Sequence, residues 1–286
     1  MHRDLRLLAI AVVLFGGAWP ITKDALRDAT PLWFASARAG FAALALAFVM
    51  ALARRLAMPG RADWPAIVAL ATLQLGGFFA LSHLGIALLP AGRTAILSNV
   101  TIPFLVPLSV AFLGERVSAM RWLSAAFGMA GALVLVGPWS VDWSRGEVVL
   151  AHLYLLAAAL AWSVAIVVVR RFPPGKPMVE LLPFSFGLGA LLILIPLAMV
   201  REPAGGIGWS SMPHALFIGL IAAPLGTWSV IEAGRRLPST VASVGFLFVP
   251  ILGVALGTLW LAEPLGWDLW LGGALIAASM VAAVRG

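Results

Sequence analysis

Cysteine is absent from this chain of 286 residues, and charged residues make up only 11% of it. The lack of cysteine excludes disulfide bonds, thiol catalysis and thiolate metal sites. Soluble domains are typically about a quarter charged, whereas 62% of this chain is hydrophobic and its mean hydropathy is +1.03. The composition therefore indicates an integral membrane protein.

Enzyme motifs are also absent from the sequence. It contains no H-E-x-x-H, no G-x-S-x-G and no Walker loop, and its four histidines are scattered. We therefore expect no catalytic residue, no cofactor, no metal site and no hydrolysis of ATP. Gradient-driven or facilitated transport remains open to such a chain.

Ten apolar segments approach the roughly 20 residues that a helix needs to cross about 30 Å of hydrocarbon. Short connections separate them, and none of these connections is long enough for a separate soluble domain. The predicted spans are 5–22, 32–53, 64–88, 94–113, 119–137, 147–169, 178–200, 212–233, 238–261 and 267–284.

The basic residues lie in these connections and predict the orientation of the chain. Thirteen of the nineteen lysines and arginines fall on the side of the amino terminus, five fall on the other side, and Arg38 lies within a span. Because cytoplasmic connections are enriched in Lys and Arg, both termini are expected in the cytoplasm. This placement explains the net charge of +7 through topology, so we expect no nucleic-acid partner.

The second half of the sequence repeats the first at an offset of 148 residues. At that offset Pro65 aligns with Pro213, and Glu115 with Glu263. The predicted repeats are residues 1–140 and 146–286, within one transmembrane domain. Five spans is an odd number, so the second repeat enters the membrane inverted. The predicted fold class is an all-α integral membrane protein with ten transmembrane helices in two inverted five-helix repeats, an arrangement typical of alternating-access transporters.

Specific residues resemble a known family. Leu113-Gly114-Glu115, then Trp122, Gly128 and Gly131, match the "LGE…W…G…G" pattern of EamA-like proteins, and Phe34 to Arg38 resembles their second-helix "FA..R" pattern. The resemblance places the chain in the drug/metabolite transporter superfamily. It implies two inverted repeats, a bacterial inner-membrane location and metabolite export, and the exporters of amino acids, aromatic ones included, are the most similar group.

The absence of charged residues from particular spans limits the classes of substrate that the protein could bind. The first and sixth spans contain no mid-membrane Asp or Glu, which a desolvated organic cation would need as counter-charge. The ninth span contains no Lys or Arg to neutralise a phosphate. A neutral, zwitterionic or weakly polar substrate remains.

The fourth span gathers hydrogen-bonding side chains and helix breakers: Ser98, Asn99, Thr101, Pro103 and Pro107. A proline cannot donate to the carbonyl four residues earlier, and Pro250 repeats this feature in the ninth span. We predict that the three prolines are hinges and that the polar trio binds substrate, since broken backbone in a membrane needs a cavity or a protein neighbour.

Further candidates for the substrate cavity are polar or aromatic residues inside the spans: Gln74, Phe78, His83, Trp162, Ser163, Ser243 and Phe246. Helix–helix hydrogen bonding and core packing are the alternatives for each of them. For Trp162, together with Trp19, an interfacial aromatic belt is a further alternative.

Three charged positions have competing interpretations. Arg38 could extend to the headgroups, pair with Asp24 or Asp28, or bind a carboxylate of the substrate. Glu115 and Glu263 end the fourth and ninth spans, where we expect them to tie helix ends to neighbouring loops through backbone N–H groups or an arginine, with proton coupling as the alternative.

The sequence thus favours a secondary transporter that exports small metabolites, amino acids above all, by alternating access. An exporter of other hydrophobic or drug-like solutes, a membrane-embedded enzyme on lipid-linked substrates and a channel are the alternatives. The expected partners are a small-molecule substrate and the lipid bilayer. Monomer and dimer both stay open, because the small-residue faces of spans 5 and 10 could pack within the chain or between protomers.

Overall fold

The computed structural model describes residues 2–137, 139, 142–237, 241, 245–246 and 248–285. Within these residues, nine helices are long and apolar enough to cross a membrane. They correspond to nine of the ten predicted spans. In the ninth predicted span the described apolar helix is Phe248–Leu261, which is shorter.

The amino-terminal half is built of seven α-helices: α1 (His2–Ala25), α2 (Pro31–Leu52), α3 (Trp64–Ala69), α4 (Phe78–Leu88), α5 (Ala91–Leu97), α6 (Ile102–Leu113) and α7 (Ala119–Val136). The π-helical segment Leu70–Gly77 joins α3 to α4, so these three elements form the third span. The fourth span is divided into α5 and α6.

The carboxy-terminal half adds six described α-helices: α8 (Gly146–Arg171), α9 (Met178–Val200), α10 (Met212–Leu216), α11 (Ala223–Arg236), α12 (Phe248–Leu261) and α13 (Trp267–Arg285). A second π-helical segment, Phe217–Ala222, joins α10 to α11 within the eighth span. It lies at nearly the same place in its repeat as Leu70–Gly77 does in the first.

Helices of one half pack mainly against helices of the other. The equivalent helices α2 and α9 lie side by side, as do α7 and α13. The remaining contacts come in related pairs, because α1 packs on α11 and α12 while its counterpart α8 packs on α4 and α6. Exchanging the two halves therefore reproduces the packing, as expected of two inverted repeats.

The small residues of α7 and α13 bring these two helices close together within the chain. A Cβ atom added to Gly131 would lie 2.8 Å from the carbonyl oxygen of Gly272, and one added to Gly128 would lie 2.7 Å from Pro103. Of the two arrangements expected for these faces, the structure shows packing inside the protein at Gly131 and Gly272.

The largest core cluster lies between α2, α4 and α9, and it includes Leu32, Phe79 and Phe186. Trp19 and Trp162, from two different halves, are partly buried and pack against this cluster. Both side chains thus take part in helix packing.

Candidate functional site

Arg38 occupies the interior of the bundle, about 10 Å from the start of α2 at 1.5 Å per residue. Its side chain is buried, with 9% of its surface exposed. The guanidinium carbon lies over the Phe79 ring, 4.4 Å from the ring centroid, in a cation–π contact. The side chain therefore does not extend to the headgroup region.

His83 holds one edge of this guanidinium. The Nδ1–H group of His83 donates to the carbonyl oxygen of Phe79 at 2.6 Å, which leaves Nε2 of the neutral ring as an acceptor. Nη1 of Arg38 lies 3.4 Å from that Nε2 atom. The His83 ring also contacts Phe34, with 5.9 Å between centroids, so aromatic rings enclose the pair.

Arg38 has no acidic partner among the residues that the structure describes. Asp24 pairs with Arg27 and lies 3.4 Å from His214. Asp28 accepts a hydrogen bond from Ser210 at 2.6 Å. The predicted alternative in which Arg38 pairs with Asp24 or Asp28 is therefore wrong, and Arg38 is a buried cation without a counter-charge.

Acidic residues in the loops stabilise the ends of the bundle. The Glu263 carboxylate accepts from the backbone N–H groups of Ala91 and Gly92 at 2.6 and 3.0 Å. Glu115 accepts from Arg170 at 3.1 Å. The role predicted for both glutamates, tying helix ends to neighbouring elements, is confirmed by these contacts.

Glu202 plays a similar part at the start of α2, which we call the Glu202 end of the bundle. Its carboxylate accepts from the backbone N–H groups of Leu32 and Trp33 at 3.0 and 3.1 Å. These donors have no partner within their own helix, and a carboxylate at a helix start also interacts favourably with the helix dipole. The second half of the chain thereby fixes the helix that carries Arg38.

The Glu202→Ala variant is expected to lose about 1–2 kcal/mol of stability, because it leaves helix-start N–H groups unpaired. Glu202→Gln keeps an acceptor oxygen and is expected to lose roughly half as much. Thermal unfolding of the two purified variants in detergent measures the difference. Unchanged unfolding of Glu202→Ala would contradict a capping role.

The fourth span is broken where the sequence predicts, between α5 and α6. Pro103 stands in the first turn of α6, where its missing N–H group costs least. The carbonyl of Asn99, which Pro103 leaves free, accepts instead from the N–H group of Thr101 at 2.8 Å. The Asn99 side chain donates to the Ala95 carbonyl at 2.7 Å, so most of the break is satisfied locally.

One side chain from another helix, that of Ser163, connects this break to the rest of the bundle. The Ser163 hydroxyl, on α8, shares its single proton between the carbonyls of Thr101 at 3.0 Å and Ala159 at 2.8 Å. The hydroxyl of Ser98 is buried and has no hydrogen-bond partner within the described part of the chain. An unsatisfied buried hydroxyl at a helix break is a candidate contact for a ligand.

A row of aromatic side chains leads from Trp162 to Arg38. Trp162, the neighbour of Ser163, meets the ring of Phe78 edge-on at 4.8 Å between centroids. The ring centroids of Phe78 and Phe79 are 6.2 Å apart, and the Phe79 ring lies under the Arg38 guanidinium. We call Phe79, Phe78 and Trp162 the aromatic row.

The structure thus brings together most of the predicted site residues. Arg38 contacts His83 directly and Phe78 and Trp162 through Phe79. A separate hydrogen bond joins Ser163 to Thr101, and Ser98 and Asn99 lie in the same break. Gln74 is half-buried in the π-helical segment just before Phe78.

Other predicted residues lie elsewhere in the structure. Phe246 packs in a separate cluster with Leu7 and Leu8, and Ser243 is outside the described residues. Pro107 is inside a continuous α6, and Pro250 is buried near the start of the described α12.

Three features of the site were not identified from the sequence: Phe34, Phe79 and the close contact of Gly219 with α2. A Cβ atom on Gly219 would lie 2.9 Å from the Arg38 carbonyl oxygen, so the π-helical segment of the eighth span packs directly on α2. The arginine inside a span was the one signal in the sequence that could have led to these residues. A charge inside a membrane needs neighbours that accommodate it, so the residues around Arg38 were candidates for the site.

The fold and this interior site define a multi-pass helical membrane protein made of two similar halves. The sequence model of the EamA-like transporter family matches residues 5–137 and again residues 149–285. The chain therefore belongs to the EamA-like transporter family, and the resemblance seen in the sequence is confirmed.

Several curated proteins are similar over almost the whole chain. "Uncharacterized transporter YvbV" of Bacillus subtilis is 28% identical, covering 97% of this chain and 90% of the relative. "Riboflavin transporter" of Rhizobium johnstonii is also 28% identical, with the same two shares. "Probable terminal-alkyne amino-acid exporter" of Streptantibioticus cattleyicolor is 24% identical over 90% of this chain and 84% of its own.

A solved crystal structure shares the fold. Its TM-score is 0.68 at 20% sequence identity, and the similarity covers 98% of this chain and 97% of that one.

Proposed function

We propose that the protein is a secondary transporter that exports amino acids, aromatic ones included, by alternating access. The observation that carries the proposal is the aromatic row. It has Arg38, a cation without a described acidic partner, at one end and Trp162 at the other, next in sequence to Ser163, whose hydroxyl donates to the Thr101 carbonyl of the break. An amino acid has the matching pattern of a charged backbone and an apolar or aromatic side chain. The relative named as an amino-acid exporter supports this substrate class.

We further propose how the protein sits and moves in the membrane. The excess of Lys and Arg on one side supports cytoplasmic termini, and the bacterial relatives support the inner membrane. The inverted repeats support exchange between two access states. Pro103, Pro107 and Pro250 are the proposed hinges, while the relatives named as transporters support transport over enzyme activity.

The proposal is tested by counterflow in proteoliposomes loaded with unlabelled phenylalanine. Labelled phenylalanine added outside is expected to accumulate transiently above its equilibrium level, which a channel cannot produce. Trp162→Ala is expected to abolish most of this accumulation, because it removes one end of the aromatic row. Trp209→Ala, at a tryptophan that is 94% exposed, is the matched control and is expected to retain it.

The same counterflow assay is repeated with leucine and with riboflavin in place of phenylalanine. Counterflow of riboflavin without counterflow of either amino acid would overturn the amino-acid assignment and favour a flavin substrate, as in the Rhizobium relative. Equal loss of transport and folded yield in Trp162→Ala would assign that residue to packing alone.

A further inference from the structure

We propose that Arg38 binds the carboxylate of the substrate, and that the substrate's amino group is dispensable. The substrates are then apolar and aromatic monocarboxylates, with amino acids as one subset. This inference rests on the proposed transport function and assigns the chemical group that its site selects.

The guanidinium of Arg38 is prepared for a bidentate anion. His83 occupies Nη1 only, so the edge formed by Nε and Nη2 remains. Nε is buried and has no hydrogen-bond partner among the described residues. That edge matches the two oxygens of a carboxylate, and a buried charge is stabilised when a ligand supplies the missing partner.

The site offers a single positive charge, which fits a monoanion. No other basic side chain contacts this group among the described residues: Lys23 donates to the carbonyls of Ile86 and Ala87 at 2.8 and 3.2 Å, and Arg93 pairs with Asp268. A phosphate dianion would keep an uncompensated negative charge in the interior, which is costly. A carboxylate is therefore the better match.

The acidic side chains near the Glu202 end are also used in other contacts. Asp24 and Asp28 bind loop side chains, and Glu202 and Glu263 bind helix-start N–H groups. No described carboxylate is left to receive an ammonium group beside Arg38. An amine without a carboxylate would also face the like charge of Arg38, so it is disfavoured.

The apolar part of the substrate is placed by the aromatic row. Phe79 lies directly under the guanidinium, and Phe78 and Trp162 continue away from it. A molecule whose carboxylate is at Arg38 would lay a ring or an alkyl chain against these residues, gaining aromatic contacts and apolar burial. The geometry therefore fits a substrate that has a carboxylate, which is required for binding, and an apolar remainder.

The test measures equilibrium binding of three probes that share one phenyl ring to the purified full chain in detergent. Phenylalanine has both charges, 3-phenylpropionate lacks the ammonium group, and phenylalaninamide lacks the carboxylate. We expect the two acids to bind with similar affinity and the amide about a hundredfold more weakly. Arg38→Gln is expected to weaken both acids about a hundredfold and to leave the amide unchanged.

Two further variants show whether the effect of Arg38→Gln is specific to the guanidinium. Arg38→Lys keeps the charge without the two-pronged edge and is expected to recover part of the acid affinity. Arg61→Gln, at an exposed arginine, is the control and is expected to bind like the wild type. If Arg38→Gln does not fold, the three probes on the wild type still decide the question.

The outcomes separate this inference from the transport proposal. An amide that binds as tightly as the acids, or an Arg38→Gln variant that weakens all three probes alike, overturns the carboxylate site while transport stands. Binding of phenylalanine without 3-phenylpropionate overturns the dispensable amino group. If none of the three probes binds, the amino-acid assignment falls as well.

Discussion

Replacing Arg38 with methionine is expected to raise the unfolding temperature of the empty protein. The wild type keeps a guanidinium in its interior with no acidic partner among the described residues, and such a charge is costly inside a membrane. Methionine fills a similar length, and its thioether packs well on an aromatic ring such as that of Phe79.

The expected gain is about 2 kcal/mol, or about 5 °C in a protein of this size. Thermal unfolding of wild type, Arg38→Met and Arg38→Lys in the same detergent measures it. The lysine variant retains the charge and is the control that should show no gain. A lower unfolding temperature for Arg38→Met would mean that Arg38 mainly holds the fold together, because stability and binding would then fall together instead of trading off.

Substitution of Gly219 by alanine is expected to have the second large effect. A methyl group there would lie 2.5 Å from the Cβ atom of Phe41 and 2.9 Å from the main-chain oxygen of Arg38. Neither neighbour can yield without moving α2, so the π-helical segment must separate from that helix. Forcing extra volume into such a contact costs about 2–3 kcal/mol.

Gly40→Ala makes the same chemical change on α2 and is the matched control. Apart from the backbone of its own helix, a Cβ atom at Gly40 meets nothing within 4 Å, so this variant should be neutral or gain up to about 1 kcal/mol from helix propensity. Folded yield and thermal unfolding of the pair measure the contrast. Equal behaviour of the two variants would show that the Gly219 contact is not needed.

The spans, the repeat and the break in the fourth span could be predicted from the sequence. Long apolar runs define spans because hydrocarbon leaves few other choices for the backbone, and Pro103 marks the break because a proline lacks an N–H group. Arg38 could be singled out because an intramembrane charge is rarely accidental.

The partners of Arg38 could not be predicted. In a uniformly apolar span, the pattern of hydrophobic residues does not show which side chains share a helix face. The π-helical segment Leu70–Gly77 therefore left no signal in the sequence. That segment changes which side chains share a face and places Phe79 under the guanidinium. Asp24 and Asp28 were alternatives for that partner, but their contacts depend on Arg27, His214 and Ser210, and two of these lie far away in the chain.

The lone cation at Arg38 also links transport to voltage. With a monocarboxylate that lacks an amino group bound, the charges of ligand and arginine cancel, whereas the empty site keeps a full positive charge. A charge that crosses the whole field changes energy by about 2.3 kcal/mol per 100 mV. For such acids the membrane potential therefore acts mainly on the return of the unloaded carrier, and a loaded exchange of one acid for another is electrically silent.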